Sequence, residues 1–480
     1  MLSWTRKLRS AIKNVRHIIF RALFIALIGL YIRAAFLLTE KLYDESGPNF
    51  WDAIDKYGKF LTIILYGLTL PVYLNVPALA CNLIGLILYN PFKTVKRNVQ
   101  INTDTPFICF RVVTRGLFPK LVAEVTEKNL ATCRNVGITN FKFEIVTDTT
   151  LGIQQSHNVR ELVVPQDYHT PNGTLFKARA LHYSLDRNVN ILSPDDWIVH
   201  LDEETLLSES VLYGIINFVS EQKSDIGQGV ITYGESGIEN WLTTLLDGMR
   251  VAIDYGLFRL GLQFFHRPLF GFKGSFIVVK MKIEDGIGFD FGPKESIAED
   301  LRFALAAWDS GYKFDFVEGA MKEKSTFSLS DYVKQRKRWF IGHFQIVWGN
   351  TLPLYCKSFV MLMNISNMVL WTSVLNSILS FLCPVPLKKW QLFLFLLLTF
   401  HLFLLLLFGN FKSLCARKYS LLTRILVSFL SQGLVPVLGV AEAYSTMKGF
   451  LHRNKLTFDI VQKETSHQLK TSQTEKFSQV

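Results

Sequence analysis

The residues best suited to chemistry are the acids that end an apolar run, Trp197-Ile198-Val199-His200-Leu201-Asp202-Glu203-Glu204-Thr205. The run reads as a buried strand, and in an open α/β sheet ligands bind beyond the carboxyl ends of the strands. Asp202 and Glu204, one residue apart, can both approach a single hard divalent cation. Such a cation prefers carboxylate oxygens and leaves positions for water and substrate phosphate. Without that role, an acidic strand end is simply a solvated loop. Two earlier runs, 107–113 and 141–147, read as strands whose ends, at Thr114 and Asp148, fall on the same edge as Asp202. Further on, Glu299-Asp300 opens a helix-like stretch over 301–310, where acids can cap the helix or take a proton. Gln335-Arg336-Lys337-Arg338-Trp339 closes the set, in a basic segment just before an apolar stretch. Its alternative is an interfacial anchor, because Trp and cations favour that depth.

Positioning these residues requires a scaffold, and residues 98–352 have the texture of one. Short β-rich runs alternate with helical patterns, which predicts a largely parallel sheet with helices on its faces. Leu162-Val163-Val164-Pro165 is a further strand candidate, followed by a turn at Pro171-Asn172-Gly173 and a helix over 175–184 carrying Lys177 and Arg179. Gly271-Phe272-Lys273-Gly274-Ser275 precedes a strand at 276–279, and its glycines allow backbone to approach a ligand closely.

The flanks are membrane-like. Of 480 residues 49% are apolar and the mean hydropathy is positive, which argues for a membrane enzyme over a set of soluble domains. Spans are expected at about 17–38 and 60–90, and after the domain at about 354–382, 390–408 and 423–441. Arg21 and Arg33 interrupt the first, and Pro71, Asn75 and Pro77 bend the second. The net charge of +12 gathers beside these segments and suits lipid headgroups or an anionic substrate, not nucleic acid. Six cysteines show no metal-binding spacing and no disulfide framework. The polar tail, 455–480, reads as disordered. Seven Lys or Arg and no acid among the first 39 residues, with Lys93, Lys96 and Arg97 after the second span, put the N-terminus and the catalytic region in the cytosol. The sequon Asn172-Gly173-Thr174 would then carry no glycan.

The ordered set Asp148, Asp202-x-Glu204, Glu299-Asp300 and Gln335-x-x-Arg338-Trp339 resembles the membrane-embedded inverting glycosyltransferases of family 2, which include cellulose, chitin and hyaluronan synthases and ceramide glucosyltransferase. The resemblance covers residues 100–345. Stretches such as Val163-Val164-Pro165-Gln166-Asp167-Tyr168, Leu246-Asp247-Gly248-Met249-Arg250 and Gly271-Phe272-Lys273-Gly274-Ser275 are similar to the egghead-type β-1,4-mannosyltransferases of invertebrates. It implies a GT-A (Rossmann-like) nucleotide-sugar-binding domain and transfer of mannose from GDP-mannose to glucosylceramide at a bilayer of the endoplasmic reticulum or Golgi. Thr114, Asp148 and Lys177 would contact the nucleotide, Asp202 and Glu204 would hold Mg2+ or Mn2+, and Asp300 would be the general base. Gln335, Arg338 and Trp339 would close over diphosphate and acceptor. Arg250, Arg259, His266 and Arg267 are candidates for the acceptor pocket. Two departures stand out: Val146-Thr147-Asp148-Thr149 replaces an Asp-Asp-Gly-Ser context, and Ala-Glu-Asp replaces Thr-Glu-Asp. Competing readings are a ceramide glucosyltransferase or a processive polysaccharide synthase using a UDP-sugar, and a non-catalytic scaffold that binds lipid headgroups.

Overall fold

A computed structural model describes residues 2–98, 105–455 and 461–463. Its centre is a seven-stranded sheet: β1 Ile108–Thr114, β2 Phe141–Thr147, β3 Val159–Val163, β4 Trp197–Leu201, β5 Ile226–Thr232, β6 Ile277–Lys280 and β7 Phe314–Lys322, in the order β3-β2-β1-β4-β6-β5-β7. β1 pairs in parallel with β2 and β4, and the register sets Thr114 beside Thr147 and Val112 beside Leu201. The ends that precede Arg115, Asp148 and Asp202 therefore share one edge, as the sequence predicts.

The expectation of a largely parallel sheet needs one correction that matters for the site. β6 runs antiparallel to both β4 and β5, with Ile277 beside His200. Reversal brings the start of β6, and with it Gly274 and Ser275, to the edge where β4 ends. The Phe276 amide donates to the carbonyl of His200 (2.9 Å) and the Asp202 amide to Ser275 Oγ (3.4 Å). β5 and β7 close the other side in parallel, and the Glu323 amide donates to Thr232 O (2.9 Å), so β7 also ends at this edge.

Sequence reading missed β5 and β7. In β5, Gly227 and Gly229 look unlike strand residues. A methyl on Gly229 would lie 2.2 Å from the ring of Phe276, so glycine there is a packing requirement. β3 begins three residues earlier than expected, because Arg160 and Glu161 hide it. Arg160 pairs with Glu144 (3.1 Å), and Glu161 accepts the amide of Ile153 (3.2 Å). Under the sheet, Arg111 is fully buried and bridges Glu144 (2.8 Å) and Glu284 (2.7 Å), with His200 on the other oxygen of Glu284 (2.5 Å). Paired in this way, these charges offset much of one another's burial cost.

Among the described residues, four helical stretches are long and apolar enough to cross a membrane: Arg16–Leu42, Lys59–Leu88, Lys389–Ser413 and Leu421–Leu451. The pair Leu354–Met368 and Leu370–Leu382, bent by 40°, makes a fifth if taken as one. They leave Phe60, Phe381 and Leu430 largely exposed, as a lipid-facing surface requires. Arg21 does not reach for water but donates to the carbonyls of Ile87 (3.1 Å) and Leu88 (3.2 Å), closing the end of the helix Val76–Leu88. The sheet domain is tied directly to this bundle. Gly409 of Lys389–Ser413 packs against Gly248 of Trp241–Ile253 so closely that a methyl on Gly409 would lie 1.7 Å from the Gly248 carbonyl oxygen. Ser413 Oγ accepts the amides of Tyr233 (2.9 Å) and Gly234 (3.1 Å).

Candidate active site

The shared sheet edge opens into a cavity of about 380 Å³. Thr114, Asp148, Lys177, Asp202, Glu204, Asp300, Gln335, Arg338 and Trp339 all line it, so the nucleotide, metal, base and closing-motif candidates from sequence reach one space. Lys177, on the helix Phe176–Ser184, organises the middle. Its ammonium donates to Asp202 Oδ1 (2.8 Å) and to the Gly274 carbonyl (3.0 Å), and lies 3.9 Å from Glu299 Oε1. A methyl on Gly274 would sit 3.2 Å from Asp300 Oδ2 and 3.3 Å from Lys177 Nζ, so the absent side chain keeps base candidate and ammonium around one point. Phe176 and Phe276 adopt left-handed backbone, at φ 56° and 60°, beside Lys177 and Ser275. Bulky residues avoid that region, and its use next to the cavity marks backbone held by its surroundings.

The acids differ in charge state. Burial works against ionising Asp202, yet Lys177, Lys463 and Arg338 together hold it down to about 2. Burial raises Glu204 to about 7, opposed by Lys463 and aided by Glu323. Burial and the neighbouring Asp300 push Glu299 to about 8. Asp300 rises to about 6, again chiefly through burial, while the Leu301 amide (2.8 Å) and Lys177 favour its anion. Two carboxyls side by side whose pKa values lie near neutrality are suited to moving a proton. The acids also open the helix Glu299–Asp309, so capping and chemistry are not exclusive here.

Among the described residues, no three His, Cys, Asp or Glu side chains come together closely enough to hold a metal ion unaided. The donor set nonetheless fits a hard cation whose remaining ligands are diphosphate oxygens and water. Ammonium groups already stand at both candidate ligands: Lys177 at Asp202, and Lys463, which pairs with Glu203 (3.1 Å) and Glu204.

A family model described as glycosyl transferase family group 2 matches residues 197–410, starting at the strand that delivers Asp202. The β-1,4-mannosyltransferase egh of Drosophila melanogaster is 40% identical over 423 residues, covering 88% of this chain and 92% of its own length. The β-1,4-mannosyltransferase bre-3 of Caenorhabditis elegans is 42% identical over 386 residues, with 80% and 83% covered, and that of Caenorhabditis briggsae 45% over 346, with 72% and 75% covered. The chain belongs to the egh/bre-3 family of β-1,4-mannosyltransferases. Among solved structures, a mannosyltransferase of Pyrobaculum calidifontis in complex with GDP-Man and Mn2+ is similar at 12% identity and a TM-score of 0.44, over 80% of this chain and 98% of that one. By its relatives and the matching family model this egh/bre-3 family member is a glycosyltransferase, built on a mixed sheet with several membrane-competent helices, and the scaffold reading is set aside.

Two candidate residues of this β-1,4-mannosyltransferase family member sit differently from a bare contact with substrate. Asp148 is held by Arg179 (2.6 Å), and Thr114 donates its hydroxyl to Glu203. Of the four acceptor-pocket candidates only Arg250 lines the cavity. Arg259 pairs with Glu318 of β7, His266 contacts the Phe314 carbonyl (2.9 Å) and Arg267 the Tyr312 carbonyl (3.3 Å), so each is engaged within the fold. Sequence reading gave Glu203 no role of its own and missed Glu323 and His343. Glu323, at the end of β7, accepts from Thr205 Oγ1 (2.7 Å). His343 lies one helical turn beyond Trp339 on Leu329–Val347, and burial lowers it to about 4, keeping it neutral. The i, i+4 spacing was the available signal for His343. The largest surprise is the tail: the expectation of disorder over 455–480 falls mostly outside the described residues, but Val461, Gln462 and Lys463 line the cavity.

Proposed function

We propose that the chain transfers mannose from GDP-mannose to the 4-hydroxyl of glucosylceramide with inversion, giving Man-β-1,4-Glc-β-ceramide. The observation that carries this reading is Asp300, a buried carboxyl with its pKa near 6, set in the same cavity as the Lys177–Asp202 pair. Mannosyl transfer is favoured by the names of the relatives, and a lipid acceptor by the apolar helices that hold the cavity.

In this mechanism Asp148 and Thr114 meet the nucleoside, and Lys177, Gln335 and Arg338 bind the diphosphate. Arg338 suits that task because its planar guanidinium can make two parallel charge-assisted bonds. Asp202 and Glu204 would hold Mg2+ or Mn2+, which when bound offsets the negative charge developing on departing GDP. Asp300 Oδ2 takes the proton of the acceptor 4-hydroxyl as that oxygen attacks the anomeric carbon from the face opposite the nucleotide. The new C–O bond forms while the bond to the β-phosphate oxygen breaks, its electron pair leaving with GDP. A single displacement converts α to β. Trp339 and His343 stand beside the acceptor ring, which a domain fixed at the interface receives already oriented.

Residues 98–352 would form the catalytic domain on the cytosolic face of the endoplasmic reticulum or Golgi. The decisive experiment is incubation of the purified protein in lipid nanodiscs with GDP-mannose, UDP-glucose or UDP-N-acetylglucosamine and glucosylceramide, with and without EDTA. A β-linked mannosyl product from GDP-mannose alone, abolished by EDTA and restored by Mn2+, is expected. Transfer from a UDP-sugar instead would overturn the donor assignment.

A further inference from the structure

Glu442 is an acid inside the apolar stretch Leu421–Leu451, where a carboxylate is costly and is kept paired. Its partners belong to the catalytic side. Glu442 Oε1 accepts from Tyr332 Oη (2.6 Å) and from Arg336 Nε (3.0 Å), both on Leu329–Val347, the helix that carries Gln335, Arg338 and Trp339. Arg336 is buried, and its far edge forms an ion pair with Asp247 on Trp241–Ile253, while Ser325 donates to the other oxygen of Asp247. Two acids thus grip the guanidinium from opposite elements, one in the membrane and one in the sheet domain. The gripped plane lies against the indole of Trp339, 4.5 Å from its ring centroid. Arg250 contacts the same indole at 4.3 Å and also lies over Tyr233 at 4.6 Å.

We propose that Glu442 is a positioning residue for sugar transfer: by fixing Arg336 from the membrane side, it sets the indole of Trp339 in the cavity. The proposal rests on the reading of Trp339 as an acceptor contact. A guanidinium has five donors in a rigid fork, so an acid on each side locks its plane. Removing one leaves a buried charge that can turn, and Trp339 loses a fixed wall. The role differs from capping or packing because its effect must pass through the indole.

A double-mutant cycle in nanodiscs, with GDP-mannose and glucosylceramide, separates the two. Glu442→Ala is expected to lower kcat on the order of tenfold, as a small misplacement of a positioning group does, with donor KM unchanged. In a Trp339→Ala background the same change should cost nothing further, because coupled residues are non-additive. Should Glu442→Ala fail to fold, Glu442→Gln, which keeps the volume and loses the charge, runs the same cycle. Equal losses in both backgrounds, or an unchanged kcat in the single variant, would overturn the proposal while leaving the proposed function standing. A wild type that makes no mannosyl product overturns both.

Discussion

Asp300 must be ionised to accept a proton, yet burial raises it to about 6. A base with a raised pKa is anionic above that value and is lost as pH falls through it. The kcat profile should therefore hold above neutrality and decline in an acid limb at or below about pH 6. A divalent cation beside Asp202 would move that limb lower, since it removes a negative neighbour of Asp300. A pH–rate series at saturating donor checks this, and a limb well above 7 would point to another base. Asp300→Asn keeps shape and hydrogen bonding but not basicity. It should bind GDP-mannose as the wild type does and lose about 100-fold to 10,000-fold in turnover. Parallel donor titration and single-turnover assays distinguish that outcome from a collapse of the site.

At the scale of elements, the tail segment 461–463 carries the clearest test. Lys463 stands on Glu203 and on Glu204, and Glu204 is one of the two acids proposed to hold the divalent cation. Lys463→Ala should tighten Mn2+ binding to the donor-free protein, measured directly by electron paramagnetic resonance of free Mn2+. Unchanged or weaker binding would show that the ammonium does not compete there. No sequence pattern announced this contact, because it joins residues 259 positions apart. The strand ends were legible for a different reason: β1, β2 and β4 are mostly apolar runs, broken only by Arg111, Lys142, Glu144 and His200, that stop on polar residues, as buried parallel strands tend to do. β5 and β7 escaped because glycines and charges within them serve packing and pairing. Glu323 escaped with β7. Lys177 could be placed by helix periodicity, but its bond to Asp202 depends on the sheet crossing between them.

For the whole molecule, the side of the membrane is open to a simple check. Asn172 is exposed, but its side chain donates to the Asp290 carbonyl (3.1 Å) and Thr174 of the sequon is buried, so a glycan would have to be added before this turn folds. A cytosolic catalytic domain predicts no glycan: protein from animal cells should keep its mobility after endoglycosidase treatment, and a shift would reverse the topology. The contact between Gly248 and Gly409 bears on specificity. Backbone touching backbone leaves no slack at that point, which ties the helix Trp241–Ile253 beside the cavity closely to the membrane-competent helix Lys389–Ser413. With the proposed acceptor, a seat held in this way would act as a ruler: a headgroup one sugar tall would bring its hydroxyl level with Asp300, whereas the product, taller by a residue, would lift its free end past it, and growth would stop after one addition.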